Sequence, residues 1–154
     1  MARCYVALGT NLGDRLLNLA EARRRIGQLG AHRMGPVLET PALLPKNDAT
    51  PQPDYLNSVD QLDTPLAPVG LFHQLKRIER LMGRRVTTRW APRIIDLDLI
   101  LFGDEVIESP ELTVPHTAMH QRRFVLWPLA ALAPGLRHPL LGQSMRELLV
   151  ALPP

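Results

Sequence analysis

Arg89-Trp90-Ala91-Pro92-Arg93-Ile94-Ile95-Asp96-Leu97-Asp98-Leu99-Ile100-Leu101-Phe102 sets two carboxylates into an otherwise apolar segment, directly after a basic loop. In an extended strand, alternate side chains leave opposite faces. Asp96 and Asp98 therefore share one face, while Ile95, Leu97, Leu99 and Leu101 share the other and can enter a core. Positions two apart lie about 6.6 Å along a strand, near enough for the carboxylates to lean together around divalent ions, which sit roughly 3.5–4 Å apart in two-metal sites. Two bare carboxylates among Ile and Leu would otherwise repel each other and resist desolvation, and acidic residues are depleted in strands. The stretch reads as a strand carrying a metal site. The plainer alternative is a half-buried strand with two solvated aspartates on its outer face.

The neighbours favour the metal site. Arg84, Arg85, Arg89 and Arg93 lie in or beside the preceding loop, and Lys76, Arg77 and Arg80 precede them on a predicted helix. Carboxylates that hold Mg²⁺ and arginines that hold phosphate oxygens are the two halves of a polyphosphate site, because the guanidinium fork matches phosphate and Mg²⁺ bridges phosphate oxygens. A nucleoside triphosphate is the natural ligand.

With 154 residues and 45% hydrophobic content, the chain fits a single domain over residues 1–154 with one core. The formal net charge of +3 suits a small anion as well as nucleic acid, so charge alone does not choose. The lone Cys4 excludes a disulfide framework and reads as a small buried hydrophobe. Neither a signal peptide nor a membrane-length apolar run is present, which predicts a cytoplasmic protein with no membrane partner.

Periodicity predicts a buried strand over 4–8, and then a turn at Gly9-Thr10-Asn11-Leu12-Gly13-Asp14. A helix follows through Leu19, Ala22, Ile26 and Leu29, closed by Gly30. Gly9 and Gly13 fit neither a P-loop nor a dinucleotide fingerprint and read as turn glycines. A strand over 34–39 precedes a long Pro-interrupted loop, then a poorly alternating strand over 55–62. Leu71, Leu75, Ile78 and Leu81 mark an amphipathic helix over 68–82, with Lys76, Arg77, Glu79 and Arg80 on its polar face. Gly103-Asp104 should turn the metal-site strand back into a hairpin through Val106 and Ile107. Short helices over 124–132, limited by Pro128, and over 145–152 complete the pattern.

Arg89-x-Ala91-Pro92-Arg93-x-x-Asp96-Leu97-Asp98-Leu99-Ile100 resembles the signature of the 6-hydroxymethyl-7,8-dihydropterin pyrophosphokinases. Ala7-Leu8-Gly9-Thr10-Asn11-Leu12-Gly13, Gln52-Pro53-Asp54-Tyr55-Leu56-Asn57, Leu112-Thr113-Val114-Pro115-His116 and Phe124-Val125-Leu126-Trp127-Pro128-Leu129 recur in the family's order, so the likeness spans nearly the whole chain. It implies an α+β ferredoxin-like sandwich, an antiparallel sheet with helices packed against it. It also implies transfer of the β,γ-diphosphate of ATP to the pterin's hydroxymethyl oxygen, with release of AMP, by a monomer that needs two Mg²⁺ ions and no nucleic acid.

Carried over by position, Asp96 and Asp98 resemble the Mg²⁺ ligands, and Arg84 and Arg93 resemble catalytic arginines that meet the triphosphate. Tyr55 and Phe124 resemble the aromatics that sandwich the pterin, and Asn57 the amide that reads its edge. Thr40, Pro41, Leu43 and Trp90 belong to the same pterin side. Lys76, Glu79, Arg84, Arg89, Trp90, Arg93, Leu99, Thr113, His116 and Arg122 align with nucleotide contacts. Lys76, Glu111 and Thr117 depart from the glutamine, arginine and aromatic residue often found at their positions. A noncatalytic RNA-binding sheet is the contrasting reading. It would need exposed aromatics in a characteristic strand motif, which this sequence lacks.

Overall fold

The computed structural model describes residues 1–44, 46, 50–84 and 90–154. The chain runs β1 (Ala2–Thr10), α1 (Arg15–Ile26), β2 (Ala31–Arg33), β3 (Leu38–Thr40), β4 (Tyr55–Thr64), α2 (Pro68–Leu81) and β5 (Asp96–Phe102). It continues through β6 (Ile107–Glu108), β7 (Thr113–Val114), α3 (Arg123–Leu132) and α4 (Met145–Ala151). The main sheet has the order β2-β4-β1-β5, every pairing antiparallel, with β3 also paired to β4. Taking β2 and β3 as one interrupted strand, this is the βαββαβ order of a ferredoxin-like sandwich.

The sheet is buried on both faces. Cys4, Val6 and Leu8 of β1 and Leu97 and Leu99 of β5 pack with Leu19, Ala22 and Ile26 of α1 and Leu71, Leu75 and Ile78 of α2. On the other face Tyr5, Val59, Ile100 and Leu101 meet Val125, Leu126 and Leu129 of α3 and Met145 and Leu148 of α4. Each fully buried Leu or Ile contributes about 1.5–3 kcal/mol, so the two layers clamp the central strands. Asp14 caps α1 by accepting the Leu17 N–H, and Ser144 with Glu147 forms a capping box on α4.

Several local expectations are corrected. Strict alternation in β5 fails at its end: Val6 pairs with Leu99 and Tyr5 with Leu101, leaving Ile100 as an extra residue. This bulge sends Leu101 to the α3 and α4 side, opposite Ile95, Leu97 and Leu99. Gly9 is a strand residue of β1, not a turn residue. Helix α1 stops at Ile26, before Gly30; Gly30 instead lets its backbone approach the Asp63 carbonyl, where a Cβ would collide. Of the strand expected over 34–39 only Leu38 and Glu39 are extended, in β3; residues 34–37 are irregular, because Gly35 lies against Val59 and gives its N–H to Asp60 while Pro36 has none to give, and β2 falls before them at Ala31–Arg33. The Gly103 turn does not produce a hairpin with β5: β6 pairs with β7. Helix α3 continues through Pro128 to Leu132.

Candidate active site

Strand register assembles the site. Asn57 of β4, Gly9 of β1 and Asp96 of β5 stand in one row across the sheet, and Val59, Ala7 and Asp98 in the next. Directly paired residues share a face, so both aspartates project on the side where Gly9 and Ala7 leave open space. A Cβ on Gly9 would lie 3.3 Å from Asn57 Oδ1 and 3.5 Å from Tyr55 Cδ1.

Over this floor is a cavity of about 230 Å³ lined by Thr40, Pro41, Leu43, Tyr55, Asn57, Trp90 and Phe124, together with Asp96, Asp98 and Arg122. Every residue expected on the pterin side is among them. Asn57 is buried and donates to Thr40 Oγ1 at 2.6 Å, which fixes the amide plane. Burial pushes the Tyr55 phenol above its ordinary pKa. Arg122, aligned with nucleotide contacts, sits here with its guanidinium 5.7 Å from the Phe124 ring centre.

A second cavity, also about 230 Å³, is lined by Phe72, Lys76, Leu99, Glu111, Thr113 and His116, and it shares Asp98 with the first. Lys76, Leu99, Thr113 and His116 are therefore brought together as the nucleotide alignment requires. Burial holds the His116 imidazole below its ordinary pKa despite the nearby charge of Asp98. Glu111 pairs with His73 at the cavity rim.

Where the cavities meet, three carboxylates share two cations. Arg84 NH1 lies 2.7 Å from both Asp96 Oδ1 and Glu79 Oε2. Lys76 Nζ lies 3.2 Å from Glu79 Oε2 and 3.7 Å from Asp98 Oδ1. Glu79 is buried, contrary to its expected place on a solvated helix face, and among the described residues it lines neither cavity. Burial, reinforced by the charge of Asp98, raises the Asp96 pKa against the pull of Arg84, Arg93 and Lys76. Burial likewise raises that of Glu79. The Asp96 and Asp98 oxygens are hard donors suited to a divalent cation. Among the described residues no group of three His, Cys, Asp or Glu could hold such an ion alone, so ligand oxygens must complete its shell.

Arg93 is placed through its backbone: its N–H donates to Asn11 Oδ1 at 2.7 Å, and its carbonyl accepts from the Asn11 N–H at 3.0 Å. Asn11, fully buried, also donates to Gln52 Oε1 at 3.2 Å and the Pro53 carbonyl at 3.1 Å. Gln52 in turn donates to the Trp90 carbonyl. Reading Gly9 to Asp14 as a turn missed this tie; the signal was an Asn between two glycines at a strand end. Ala7, Ser58 and Ala91 of the first cavity were missed as well, since the alanines carry no polar group and the Ser58 hydroxyl is engaged by Arg23 and the Gly35 and Pro36 carbonyls. Arg89 lies outside the described residues.

An antiparallel sheet carrying an acidic pair where two cavities adjoin is a frame suited to a two-substrate transferase. The profile of the family described as 7,8-dihydro-6-hydroxymethylpterin-pyrophosphokinase (HPPK) matches residues 5–134. The chain belongs to this family of pyrophosphokinases, which act on hydroxymethyldihydropterin in folate synthesis. It is 42% identical over 98% of its length to the 2-amino-4-hydroxy-6-hydroxymethyldihydropteridine pyrophosphokinase of Pseudomonas aeruginosa, of which 92% is covered. It is 38% identical to the enzyme of the same name from Haemophilus influenzae, covering 88% of this chain and 84% of that one. Among solved structures, Plasmodium falciparum HPPK-DHPS wild type with SDX-DHP aligns with 97% of the chain at a TM-score of 0.71 and 17% identity, a likeness of fold. The chain spans 43% of that longer protein.

Proposed function

We propose that the chain transfers the β,γ-diphosphate of ATP to the hydroxymethyl oxygen of 6-hydroxymethyl-7,8-dihydropterin. The observation that carries this reading is that Asp98 walls both cavities, so groups bound in each meet at the acidic pair. The pterin lies between Tyr55 and Phe124, with Asn57 reading its polar edge and Thr40 orienting that amide. Gly9 and Ala7 give it floor space. Lys76, Leu99, Thr113 and His116 hold the nucleotide, and Arg122 and Trp90 reach its phosphates from the pterin side; Arg89 is assigned to the nucleotide by the family alignment alone.

The substrate hydroxyl attacks the β-phosphorus in line. The new O–P bond forms as the bond from the β-phosphorus to the α,β-bridging oxygen breaks; AMP leaves with that oxygen, and the hydroxyl proton is lost to solvent. No side chain stands out as a committed base, so positioning and charge dominate. Arg84 and Arg93 balance the charge that shifts onto the α-phosphate. Two Mg²⁺ ions held by Asp96 and Asp98 with phosphate oxygens would supply charge neutralisation and alignment of the triphosphate. Residues 1–154 act as one catalytic unit, working as a monomer. They work in the cytoplasm, where ATP is at hand, without nucleic acid or membrane. Among the described residues no helix is long and apolar enough to cross a membrane.

The test is to incubate the folded protein with ATP, Mg²⁺ and the hydroxymethyl-dihydropterin and to follow nucleotides by ion-exchange chromatography. AMP and the pterin diphosphate should appear together. ADP in place of AMP, or no turnover by folded protein, sinks the reading.

A further inference from the structure

β5 is an end strand of its sheet, so among the described residues the backbone groups on its outer side have no strand to pair with. At Leu97, between the two aspartates, both groups are taken by side chains of α2. The Leu97 N–H donates to Glu79 Oε2 at 2.7 Å, and its carbonyl accepts from Lys76 Nζ at 2.8 Å. The same Glu79 oxygen lies 2.7 Å from Arg84 NH1, which lies 2.7 Å from Asp96 Oδ1, and the Arg84 backbone N–H donates to the Glu79 carbonyl at 3.0 Å. Glu79 is 4% exposed. A carboxylate kept this far from water is strongly disfavoured without partners, and its partners here are a strand amide and the two cations that touch the acidic pair.

We infer that Glu79 is a positioning residue of the transfer reaction. It fixes the β5 edge between Asp96 and Asp98 and holds Arg84 and Lys76 at the junction of the cavities, without touching either substrate. This replaces the nucleotide contact that the family alignment gives Glu79, and it rests on the diphosphate-transfer reading. Transfer that depends on placement and charge is sensitive to small displacements of the arginine.

Glu79→Gln tests the inference. The amide oxygen can still accept from Leu97, but the negative charge that gathers Lys76 and Arg84 is gone. With circular dichroism showing a folded protein, kcat should fall by about tenfold to a hundredfold, while the KM for pterin stays within about twofold of wild type and any rise in the KM for ATP, through Lys76, stays smaller than the fall in kcat. Glu79→Gln combined with Arg84→Gln should lose little more kcat than Arg84→Gln alone, because both changes undo one arrangement. A raised KM for ATP with kcat intact would make Glu79 a nucleotide ligand and overturn the inference. So would independent, additive losses in the double variant, or an unchanged kcat in the folded fraction.

Should Glu79→Gln not fold, the wild-type protein still decides. By NMR-detected hydrogen exchange the Leu97 amide should be protected although it faces the sheet edge, and exchange at the rate of an open amide overturns the anchor. A wild-type protein that forms no AMP overturns the reaction reading alone, since slow Leu97 exchange is measured without substrates.

Discussion

Two groups of carboxylates in this fold, one wholly buried at Asp60 and one running from buried Glu79 out to half-buried Asp96 and Asp98, are held in opposite ways. Asp60 of β4, with no exposed surface, accepts from Arg23 Nε at 3.0 Å, Arg23 NH2 at 2.8 Å and the Gly35 N–H at 3.1 Å, with His32 Nε2 at 2.7 Å. Burial pushes its pKa up, but the bonds from His32 and Arg23, the Arg23 charge and the Gly35 amide outweigh burial and hold it below the usual carboxylate range. At Asp96 and Glu79 burial wins and the pKa values are raised, although cations lie as close. The difference lies in how the partners are shared. Asp60 alone takes a guanidinium, an imidazole and an amide, whereas Glu79, Asp96 and Asp98 share Lys76 and Arg84, with the Arg93 charge also acting on Asp96. Asp60 is satisfied within the fold; at Asp96, beside both cavities, burial outweighs the cations around it.

That contrast can be broken at several points. Asp60→Ala strands Arg23 and should cost about 3–5 kcal/mol in urea unfolding while each folded molecule keeps its kcat. A collapse of kcat in folded Asp60→Ala would erase the distinction between the groups. Asp96→Asn should do the reverse, lowering kcat by about a hundredfold to a thousandfold with a Tm at or above that of wild type. If Tm falls along with turnover, Asp96 is structural. Gly9→Ala probes the floor between them: its methyl group presses on Asn57 and Tyr55, so the pterin KM should rise about tenfold with the ATP KM unchanged. An unaltered pterin KM would place the ring elsewhere.

The smallest effect is in pH dependence, measured without divalent ions. Unfolded carboxylates titrate near about pH 4. Asp60, depressed in the fold, contributes stability that is complete above that value and lost as the pH falls through its folded value. Asp96 and Glu79, raised in the fold, contribute stability that is complete below it and lost as the pH rises through their folded values. Wild type should therefore lose stability relative to Asp96→Asn as the pH climbs from about 4. Parallel stability curves for the two proteins would show that burial does not penalise the Asp96 charge.

The acidic strand, the amphipathic α2 and the order of motifs were legible because each rests on a period or a spacing that local physics enforces. The residues expected on the pterin side came from the family resemblance, and the cavity that gathers them draws its walls from segments as distant as Thr40, Asn57, Trp90 and Phe124. Glu79 was misjudged for a different reason: on a helical wheel it falls beside Lys76 and Arg80, and only the missing neighbour of β5 draws it inward. Asn11 looked like a turn residue because the partners it serves, Gln52 and Arg93, lie far along the chain. Leu101 was placed on the wrong side because a bulge arises from pairing with Tyr5 and Val6, which the strand's own sequence does not display.

The bulge has one more implication. Ile100 is the residue without a partner on β1, and its carbonyl receives the His116 N–H at 3.0 Å. Removing that residue would restore strict alternation, with Leu99 and Phe102 under one layer and Leu101 under the other, but it would take a buried side chain from the α3 and α4 layer and the acceptor from His116 together. Attachment of the loop at this rim is thus tied to the packing of the sheet face beneath it.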